Sequence, residues 1–328
     1  MKTVIVTGGS GFIFSHFCEL LLSCGYKVIN IDKMSYASNK DFKPTSSNYT
    51  FIKADVKDLR ELPHCDFIVH AAACSHVDRS ISRNDEFVES NILGTHNLLE
   101  LMCKKKIEHM NLGWEYQQPV FIYISTDEVF GDIDNNGSFK EEDRHAPSNP
   151  YAATKSSSEM LVKAWGRTYG IPYRITRTTN NYGGRQHPEK LIPHTITQIL
   201  NHEKVKIHGD GSYIRNWIYV KDNVEAVLNV LELGENGETY HISSDEEYSV
   251  LQIVKMIFDN INETGKLKFE DVIEFVPNRS GQDLRYALDN TKIKQKLGWK
   301  QNFIISDVLG EIVESYRRSD GHHLREKI

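Results

Sequence analysis

Short runs of hydrophobic residues alternate with segments of helical periodicity through the first half of the chain. Runs such as TVIVT at residues 3–7 and FIVHAA at residues 67–72 have the length and the continuous apolar character of buried strands. After the first run, apolar residues recur with a helical period, at Ile13, Phe17, Leu20, Leu21 and Cys24. Strands separated by such crossover helices predict a parallel, doubly wound α/β sheet with right-handed connections.

The alternation weakens in the second half of the chain. A further strand at residues 237–243, GETYHIS, is expected to return to the main sheet, and Asp222 is expected to cap a helix nearby. We therefore predict a Rossmann-type doubly wound parallel sheet in a domain at residues 1–179, with return segments near 215–245. Residues 180–328 are predicted to form mainly a smaller C-terminal α/β lobe that binds the substrate.

The composition narrows the classes of function. The 328 residues carry a formal net charge of −6 and 39% are hydrophobic, which is ordinary for a soluble globular protein. A chain of net negative charge does not neutralise phosphates in bulk, so we expect no nucleic-acid partner. No apolar run is long enough to span a bilayer and no signal peptide precedes the first strand, so we expect no membrane partner and a cytoplasmic protein. The 5 cysteines form no CxxC pattern, which indicates reduced thiols and no metal site.

A glycine-rich turn, TGGSGFIF, joins the first strand to the first helix. Gly8 suits the tight turn, and Gly11 lets the backbone approach a pyrophosphate at the helix start, where free N–H groups and the helix dipole attract anions. Asp32 ends the second strand, at the spacing of an acid that hydrogen-bonds a ribose 2′-hydroxyl, which favours NAD over NADP. Phe14 stands where a small residue usually lets helix and strand pack closely. We expect its ring to turn away while the glycine turn stays intact.

Tyr151 and Lys155 are four residues apart on a predicted helix and therefore share one face. The positive charge of the lysine is expected to lower the pKa of the phenol. Such a tyrosine can accept a proton from a sugar hydroxyl while a hydride leaves for a nicotinamide. The same pair is also common on helix surfaces, so it decides nothing alone.

Several motifs together carry a resemblance to a known family. They are TGGSGF, VHAAACSHVDRS, FVESNILGTHNLLE, STDEVFG, NPYAATKSSSEM, NNYGGRQHPEKLIPH, HGDGSYIRNWIYVKDNVEA and NRSGQDLRYALD. With these motifs and Asp32, the chain resembles the extended short-chain dehydrogenase/reductase superfamily, and within it the nucleotide-diphosphate-glucose 4,6-dehydratases of the dTDP-glucose type. The most specific motif is Thr126-Asp127-Glu128, because epimerases and decarboxylases of the superfamily typically lack the Asp-Glu pair.

The resemblance implies an NAD-dependent lyase that converts dTDP-glucose, UDP-glucose or both to the 4-keto-6-deoxyglucose nucleotide. Tyr151 and Lys155 would support oxidation at C4, and Thr126 would orient the C4 oxygen. Glu128 would act as the base at C5 and Asp127 as the acid at the C6 hydroxyl, before the hydride returns to C6. Two adjacent carboxyl groups suit these tasks, because neighbouring carboxylates disfavour joint ionisation and one of them can stay protonated.

The resemblance also implies two sets of binding residues. The implied cofactor-binding residues are Gly8, Gly11, Phe12, Ile13, Asp32, Lys33, Ser35, Asp55, Val56, Ala71, Ala72, Ala73, Tyr151, Lys155 and Asn181. The implied substrate-binding residues are Ser75, Thr126, Asn180, Lys190, Leu191, Lys206, His208, Arg215, Arg279 and Gln282. Phe14, and Cys74 in place of a common glutamate, depart from the family pattern without removing a catalytic group.

Two other functions stay open: a 4-epimerase or decarboxylase of the same superfamily, and a non-catalytic NAD-binding protein. The Asp127–Glu128 pair argues against the first, and the complete set of catalytic residues argues against the second. The segments at residues 91–102 and 151–165 carry more apolar surface than one sheet face can cover, which predicts a homodimer held by a four-helix bundle. The choice between thymidine and uridine nucleotides also stays open, since their bases differ by one methyl group.

Overall fold

Strands and helices alternate along most of the chain. The computed structural model describes residues 1–113, 115–133, 137–262, 265–278 and 283–319. The strands are β1 (Thr3–Thr7), β2 (Lys27–Asp32), β3 (Tyr49–Lys53), β4 (Phe67–His70), β5 (Val120–Thr126), β6 (Tyr173–Thr178), β7 (Asn180–Tyr182), β8 (Val205–His208), β9 (Ile214–Tyr219), β10 (Thr239–Ile242), β11 (Glu247–Ser249) and β12 (Ile273–Val276).

The helices vary from one turn to five. They are α1 (Phe12–Ser23), α2 (Val77–Ser82), α3 (Asn84–Phe87), α4 (Gly94–Asn111), α5 (Pro150–Tyr169), α6 (Leu191–Leu200), α7 (Val220–Leu233), α8 (Val250–Ile261), α9 (Phe269–Val272), α10 (Thr291–Leu297) and α11 (Ile305–Ser319). Short 3₁₀ turns lie at Val56–Asp58 and Asp127–Phe130, and a π-helical stretch lies at Val88–Leu93. Within the described ranges, every helix is too short or too polar to span a bilayer.

Seven parallel strands form the central sheet, in the spatial order β3-β2-β1-β4-β5-β6-β10. β1 pairs with β2 on one side and with β4 on the other, so that Thr7 lies opposite both Ile31 and His70. The strand order reverses here, and ligands of open α/β sheets bind beyond the carboxyl ends of the strands at such a point. The predicted fold class is confirmed. The expected return of a late strand is confirmed too, because β10 pairs with β6 at the sheet edge.

Hydrophobic cores cover both faces of this sheet. Val4 and Val6 belong to the core shared with α1 and α7, whereas Ile5 belongs to the core shared with α4 and α5. Successive side chains of a strand point to opposite faces, so a strand covered on both faces needs apolar residues at every position. This is why the strands read as continuous hydrophobic runs in the sequence.

Phe14 is accommodated without disturbing the glycine turn. The residue is 5% exposed, and its ring meets the ring of Phe17 edge to face, with the centroids 5.7 Å apart. Helix α1 still begins directly after Gly11, whose N–H donates to the carbonyl oxygen of Gly8 at 3.0 Å. The expectation that the turn stays intact is confirmed.

Two smaller sheets gather residues from the second half of the chain. β7 pairs with β9 in parallel, and β9 pairs with β11 in antiparallel orientation. β8 pairs in parallel with β12, which lies far along the chain. The division of the chain into residues 1–179 and 180–328 stays a prediction.

The expectation that Asp222 caps a helix is wrong. Helix α7 begins at Val220, so Asp222 lies inside its first turn. Its carboxylate accepts hydrogen bonds from the backbone N–H groups of Asn302 and Phe303, at 3.0 Å each. Asp222 therefore fastens the segment before α11 to α7, a contact between residues remote in sequence.

Candidate active site

The glycine turn lies between the carboxyl end of β1 and the start of α1. Gly8 has φ +73°, and a Cβ there would lie 2.8 Å from the backbone N and Cα of Ala72. Only glycine combines this backbone conformation with so close an approach. A Cβ on Gly11 would lie 3.2 Å from the carbonyl oxygen of Gly8. The first N–H groups of α1 have no partner within the helix, so they and the helix dipole can hold an anion.

Asp32 ends β2 and joins the glycine turn to the loop that follows. Its Oδ2 accepts a hydrogen bond from the N–H of Ser10 at 3.0 Å. Its Oδ1 accepts hydrogen bonds from the N–H of Met34 at 2.7 Å and from the hydroxyl of Ser38 at 3.1 Å. A carboxylate oxygen can accept two hydrogen bonds, so Oδ2 retains capacity for a further donor. The contact with a ribose hydroxyl stays a prediction.

Lys33, Asp55 and Val56 lie together beyond the ends of β2 and β3. The Nζ of Lys33 donates to Oδ2 of Asp55 and to the hydroxyl of Ser90, at 3.2 Å each. Asp55 also accepts the N–H of Lys57 at 3.3 Å and so caps the 3₁₀ turn in which Val56 is buried. The structure thus brings three predicted cofactor-binding residues into one place.

The buried hydroxyl of Thr7 holds Ala71 and Ala72, two of the three residues at 71–73 that were predicted to run beside the cofactor. The Oγ1 of Thr7 accepts the N–H groups of Ala71 and Ala72 at 3.2 Å each and lies 2.7 Å from Nδ1 of His70. Burial, and then the charge of Lys155, lower the pKa of His70 to about 3, so the imidazole is neutral at physiological pH. The threonine can therefore donate its own hydrogen to the ring while it holds the two amides.

Tyr151 and Lys155 lie on α5, against the end of β5. Both are buried, with exposed fractions of 9% and 4%. The Nζ of Lys155 donates to the carbonyl oxygen of Ile124 at 2.6 Å and lies 4.3 Å from the ring centroid of Tyr123. The lysine is thus held by a backbone oxygen and an aromatic face.

The ionisation of this pair differs from the sequence-based expectation. Burial, and then the negative charge of Glu128, raise the pKa of Tyr151 well above its ordinary value of 10.0. Burial lowers the pKa of Lys155 to about 7, and the charge of Glu159 offsets only part of this effect. The expected lowering of the phenol pKa is therefore wrong for this arrangement, because burial is the largest influence on Tyr151 and raises its pKa.

Thr126 is the last residue of β5, and Asp127 and Glu128 begin the 3₁₀ turn that follows, with Asp127 buried and Glu128 half-buried. The Oγ1 of Thr126 donates to Oδ1 of Asp127 at 2.9 Å and accepts the N–H of Glu128 at 3.3 Å. Burial, and then the adjacent Glu128, raise the pKa of Asp127 to about 7. Burial also raises the pKa of Glu128, whereas a hydrogen bond from Asn149 and the charge of Arg215 act to lower it.

The hydrogen-bond surroundings of the two carboxyl groups differ. Oδ2 of Asp127 is buried and has no hydrogen-bond partner among the described residues. A proton on Asp127 would lie on this oxygen, since Oδ1 already accepts the hydroxyl of Thr126, and it could be donated to a ligand. Oε2 of Glu128 accepts a hydrogen bond from Nδ2 of Asn149 at 3.0 Å, which favours the ionised form. The two neighbouring carboxyl groups thus differ in the contacts that stabilise their protonated and ionised forms.

Positive charge approaches this pair from the C-terminal part of the chain. Arg215, on β9, donates to the backbone carbonyl oxygens of Leu284 at 3.2 Å and of Asp283 at 2.9 Å. Lys190 directly precedes α6, and its charge, like that of Arg215, lowers the pKa of Glu128. An arginine fixed in this way suits the binding of a diphosphate.

Two neighbouring asparagines lie at the carboxyl end of β6. Asn180 begins β7 and is half-buried. Asn181 donates through Nδ2 to Oγ1 of Thr178 at 3.1 Å, while its Oδ1 is buried without a partner among the described residues. Such an atom indicates a place where a ligand can donate a hydrogen bond.

The remaining predicted substrate-binding residues are dispersed. Leu191 begins α6, and Ser75 is exposed in the loop after β4. Lys206 and His208 lie on β8, and no hydrogen bond within the described ranges joins them to the carboxylate pair; Nδ1 of His208 lies 3.0 Å from the carbonyl oxygen of Pro277. Two others lie outside the described residues, namely Arg279 and Gln282.

Sequence reasoning does not single out Asn149. An asparagine followed by proline at the start of a helix is a capping pattern, and this signal could have located the residue. Its contact with Glu128, which lies 21 residues earlier, depends on the fold.

Comparison with known proteins agrees with this geometry. The family model described as GDP-mannose 4,6 dehydratase matches residues 5–312. The low-salt glycan biosynthesis protein Agl12 of Haloferax volcanii is 42% identical over 326 residues, which cover 97% of this chain and 99% of that protein. A dTDP-glucose 4,6-dehydratase of Haemophilus influenzae is 40% identical over 333 residues, which cover 96% and 98%.

A solved structure shows the same fold over almost the whole chain. The crystal structure of DesIV (dTDP-glucose 4,6-dehydratase) from Streptomyces venezuelae, with NAD and TYD bound, matches with a TM-score of 0.88 and 37% identity, covering 97% of this chain and 98% of that one. The predicted resemblance to nucleotide-sugar 4,6-dehydratases is confirmed, and the chain belongs to the family described as GDP-mannose 4,6 dehydratase.

Proposed function

We propose that the protein is an NAD-dependent lyase that removes water from dTDP-glucose and yields the 4-keto-6-deoxyglucose nucleotide. The observation that carries this proposal is the pair formed by buried Asp127 and half-buried Glu128 beside Tyr151, in which we assign Asp127 as the acid and Glu128 as the base. The dTDP-glucose 4,6-dehydratase matched over nearly its full length supports this substrate. UDP-glucose is the second candidate, because its base differs by one methyl group.

The residues of the glycine turn and its surroundings fit a dinucleotide. Gly8 and Gly11 keep the backbone close and unobstructed where a pyrophosphate would lie over the start of α1. The unpartnered Oδ1 of Asn181 can accept a hydrogen bond from the ligand. The carboxylate of Asp32 disfavours a 2′-phosphate and so favours NAD. NAD bound there would supply a hydride acceptor for oxidation at C4 and a hydride donor for reduction at C6.

Tyr151 takes the proton of the C4 hydroxyl in the first stage. Because burial raises the pKa of this phenol, its deprotonated form needs a positive neighbour, and Lys155 stands one helical turn away. A hydrogen bond with Thr126 lowers the pKa of Tyr151 in part, and in this proposal the same hydroxyl orients the C4 oxygen. Tyr151 and Thr126 thus both act at the hydroxyl oxygen of C4, the carbon that is oxidised.

Glu128 and Asp127 carry out the elimination. Once C4 is a ketone, the C5 proton is acidic, and Glu128 removes it. Asp127 gives its proton to the C6 hydroxyl, so the C6–O bond breaks and water leaves. When the hydride arrives at C6, Glu128 returns a proton to C5. The diphosphate of the substrate is held by Asn180, Lys190 and Arg215 in this proposal.

A 4-epimerase or decarboxylase uses the same oxidation at C4 but needs no acid at C6. The protonated Oδ2 of Asp127 would then have no task, which is why we place dehydration first. A non-catalytic NAD-binding protein has no need for a buried Asp127 beside a half-buried Glu128, because burial of such carboxyl groups costs free energy.

Turnover of sugar nucleotides tests the proposal. The purified holoenzyme is incubated with dTDP-glucose, UDP-glucose and dTDP-galactose in parallel, and the ultraviolet absorbance that a 4-keto-6-deoxy product develops in alkali is followed. We expect product from dTDP-glucose, with loss of water confirmed by mass spectrometry. An unchanged sugar mass with inversion at C4 would instead identify an epimerase.

We also propose that two copies pair through α4 and α5 as a four-helix bundle. Ile107 and Met110 on α4 are 56% and 65% exposed, and Met160 and Tyr169 on α5 are each 47% exposed. Burial of such side chains in a partner would stabilise a dimer. Light scattering at micromolar concentration is expected to give twice the monomer mass, and Met160→Glu to lower it. A monomer mass for the native chain would contradict the proposal, and so would an unaltered dimer in the variant.

A cytoplasmic location stays our expectation.

A further inference from the structure

Asn149 connects the helix that carries Tyr151 to the proposed base Glu128. It is the N-cap of α5: its Oδ1 accepts the N–H of Ala152 at 2.9 Å. Its Nδ2 donates to Oε2 of Glu128 at 3.0 Å. The residue is 7% exposed, so both hydrogen bonds are shielded from water.

The orientation of this amide follows from its partners. A backbone N–H can only donate, so the atom that faces Ala152 must be the carbonyl oxygen of Asn149. The NH₂ group therefore points to Glu128, where only an acceptor fits. Reversal of the amide would break both hydrogen bonds at once, so the cap locks the donor toward the carboxylate.

We propose that Asn149 is a positioning residue for proton removal at C5, which holds the Glu128 carboxylate against the start of α5 and so fixes the base relative to Tyr151. This inference rests on the proposed function, in which Glu128 is the base. Tyr151 lies two residues after the cap, so one side chain sets the spacing between the group that acts at C4 and the group that acts at C5.

The same hydrogen bond favours the ionised form of Glu128. Burial raises the pKa of Glu128, and the bond from Asn149 is the largest of the contributions that lower it. Since a base must be ionised to act, loss of this donor moves the acid limb of the pH profile to higher pH. The charged and titratable groups that face Glu128 from the surrounding elements are Asp127, Tyr151, Lys190, Arg215, Asp283 and Tyr286.

Three substitutions of Asn149 distinguish its role as the N-cap of α5 from its role as the hydrogen-bond donor to Glu128. Asn149→Ser keeps a capping oxygen but is too short to reach Glu128 as well, so it loses the donor. Asn149→Asp keeps the cap and places a negative charge opposite the carboxylate. Asn149→Ala loses both functions. The readouts are the melting temperature, the pH profile of solvent deuterium exchange at C5, and the rate of C4 oxidation followed by the absorbance of reduced cofactor.

We expect the acid limb of C5 exchange to move up by about one pH unit in Asn149→Ser, as for loss of a hydrogen bond to a charged group. A larger shift is expected in Asn149→Asp. Asn149→Ser should keep the melting temperature and the rate of C4 oxidation, whereas Asn149→Ala should melt earlier, and so should Asn149→Asp, which sets a second carboxylate against Glu128 in a largely buried position. A wild-type profile in Asn149→Ser and Asn149→Asp would overturn the inference, and so would activity losses that merely follow the melting temperature.

Glu128→Gln distinguishes failure of this inference from failure of the proposed function. If Glu128→Gln turns over dTDP-glucose at the native rate, Glu128 is not the base and the inference falls with the proposed mechanism. If Glu128→Gln stops C5 exchange while the Asn149 variants keep the native pH profile, only the role of Asn149 is overturned. Loss of C5 exchange in Glu128→Gln, together with a shifted acid limb in the Asn149 variants, supports both the proposed mechanism and the role of Asn149.

Discussion

Asp127→Asn is expected to slow the turnover of dTDP-glucose by about 10²–10⁴-fold, the range for loss of a general acid. Asparagine keeps the size of the side chain and can still accept the hydroxyl of Thr126, which lies 2.9 Å away. It cannot give a proton to the C6 hydroxyl. Oxidation at C4 does not use this group, so reduced cofactor should accumulate on the variant, which stopped-flow absorbance can follow.

The pKa of Asp127 also predicts how turnover depends on pH in the native protein and in the Asp127→Asn variant. Burial, and then the adjacent Glu128, raise this pKa to about 7, so the acid is protonated below neutral pH and loses its proton above it. Native turnover should therefore fall as the pH rises through this value, and the variant should lack that limb. Asp259→Asn, at an exposed ion pair on α8, is the matched control and should keep the rate and the profile. Native turnover in Asp127→Asn would contradict the assignment.

Glu159→Gln is expected to lower the free energy of unfolding by about 3–5 kcal/mol, because it leaves a buried charge without its partner. The side chains of Glu159 and Arg177 are both 0% exposed. Arg177 donates to the two carboxylate oxygens, through Nε at 3.0 Å and through Nη2 at 2.8 Å. Burial would raise the pKa of Glu159, but the hydrogen bonds and charge of Arg177 outweigh it and the pKa is lowered. Glutamine has the right size but cannot balance the guanidinium.

This pair holds the loop before α5 as well as the helix. Arg177 also donates to the carbonyl oxygen of Glu141 at 3.0 Å and lies 2.9 Å from Nε2 of His145. Loss of Glu159 should therefore loosen the segment that leads to Tyr151. Urea unfolding measures the change, with Glu86→Gln as control, because the Arg83–Glu86 pair is exposed and worth less than about 1 kcal/mol. Equal stability losses in the two variants would contradict the prediction.

The sheet could be predicted because its strands are covered on both faces. The strands of the first half are largely apolar runs, except for the partly exposed edge strand β3, and the helices between them repeat apolar residues at the helical period, so the hydrophobic pattern predicted the fold class. The pairing of β8 with β12 could not be predicted from the hydrophobic pattern, because the two strands are short, partly exposed and far apart in the chain. The prediction that Asp222 caps a helix failed for a similar reason, because the residues that its carboxylate binds lie about 80 positions away in the chain.

The sequence predicted which residues form the candidate site, but it did not predict their pKa shifts or their hydrogen bonds to one another. Motif order located Gly8, Asp127 and Tyr151, since each follows a strand or starts a helix. The direction of the pKa shift of Tyr151 depends on burial, which a spacing of four residues does not report. The double contact of Asn149 likewise exists only after β5 and α5 are packed together.

Transfer of deuterium within one sugar tests the proposed dehydration most directly. dTDP-glucose carrying deuterium at C4 is incubated with the holoenzyme in ordinary water without added reduced cofactor, and the product is examined by mass spectrometry and NMR. We expect a 4-keto-6-deoxyglucose nucleotide with the deuterium at C6. A product without deuterium at C6, or a labelled C4 epimer formed without loss of water, would contradict the proposal.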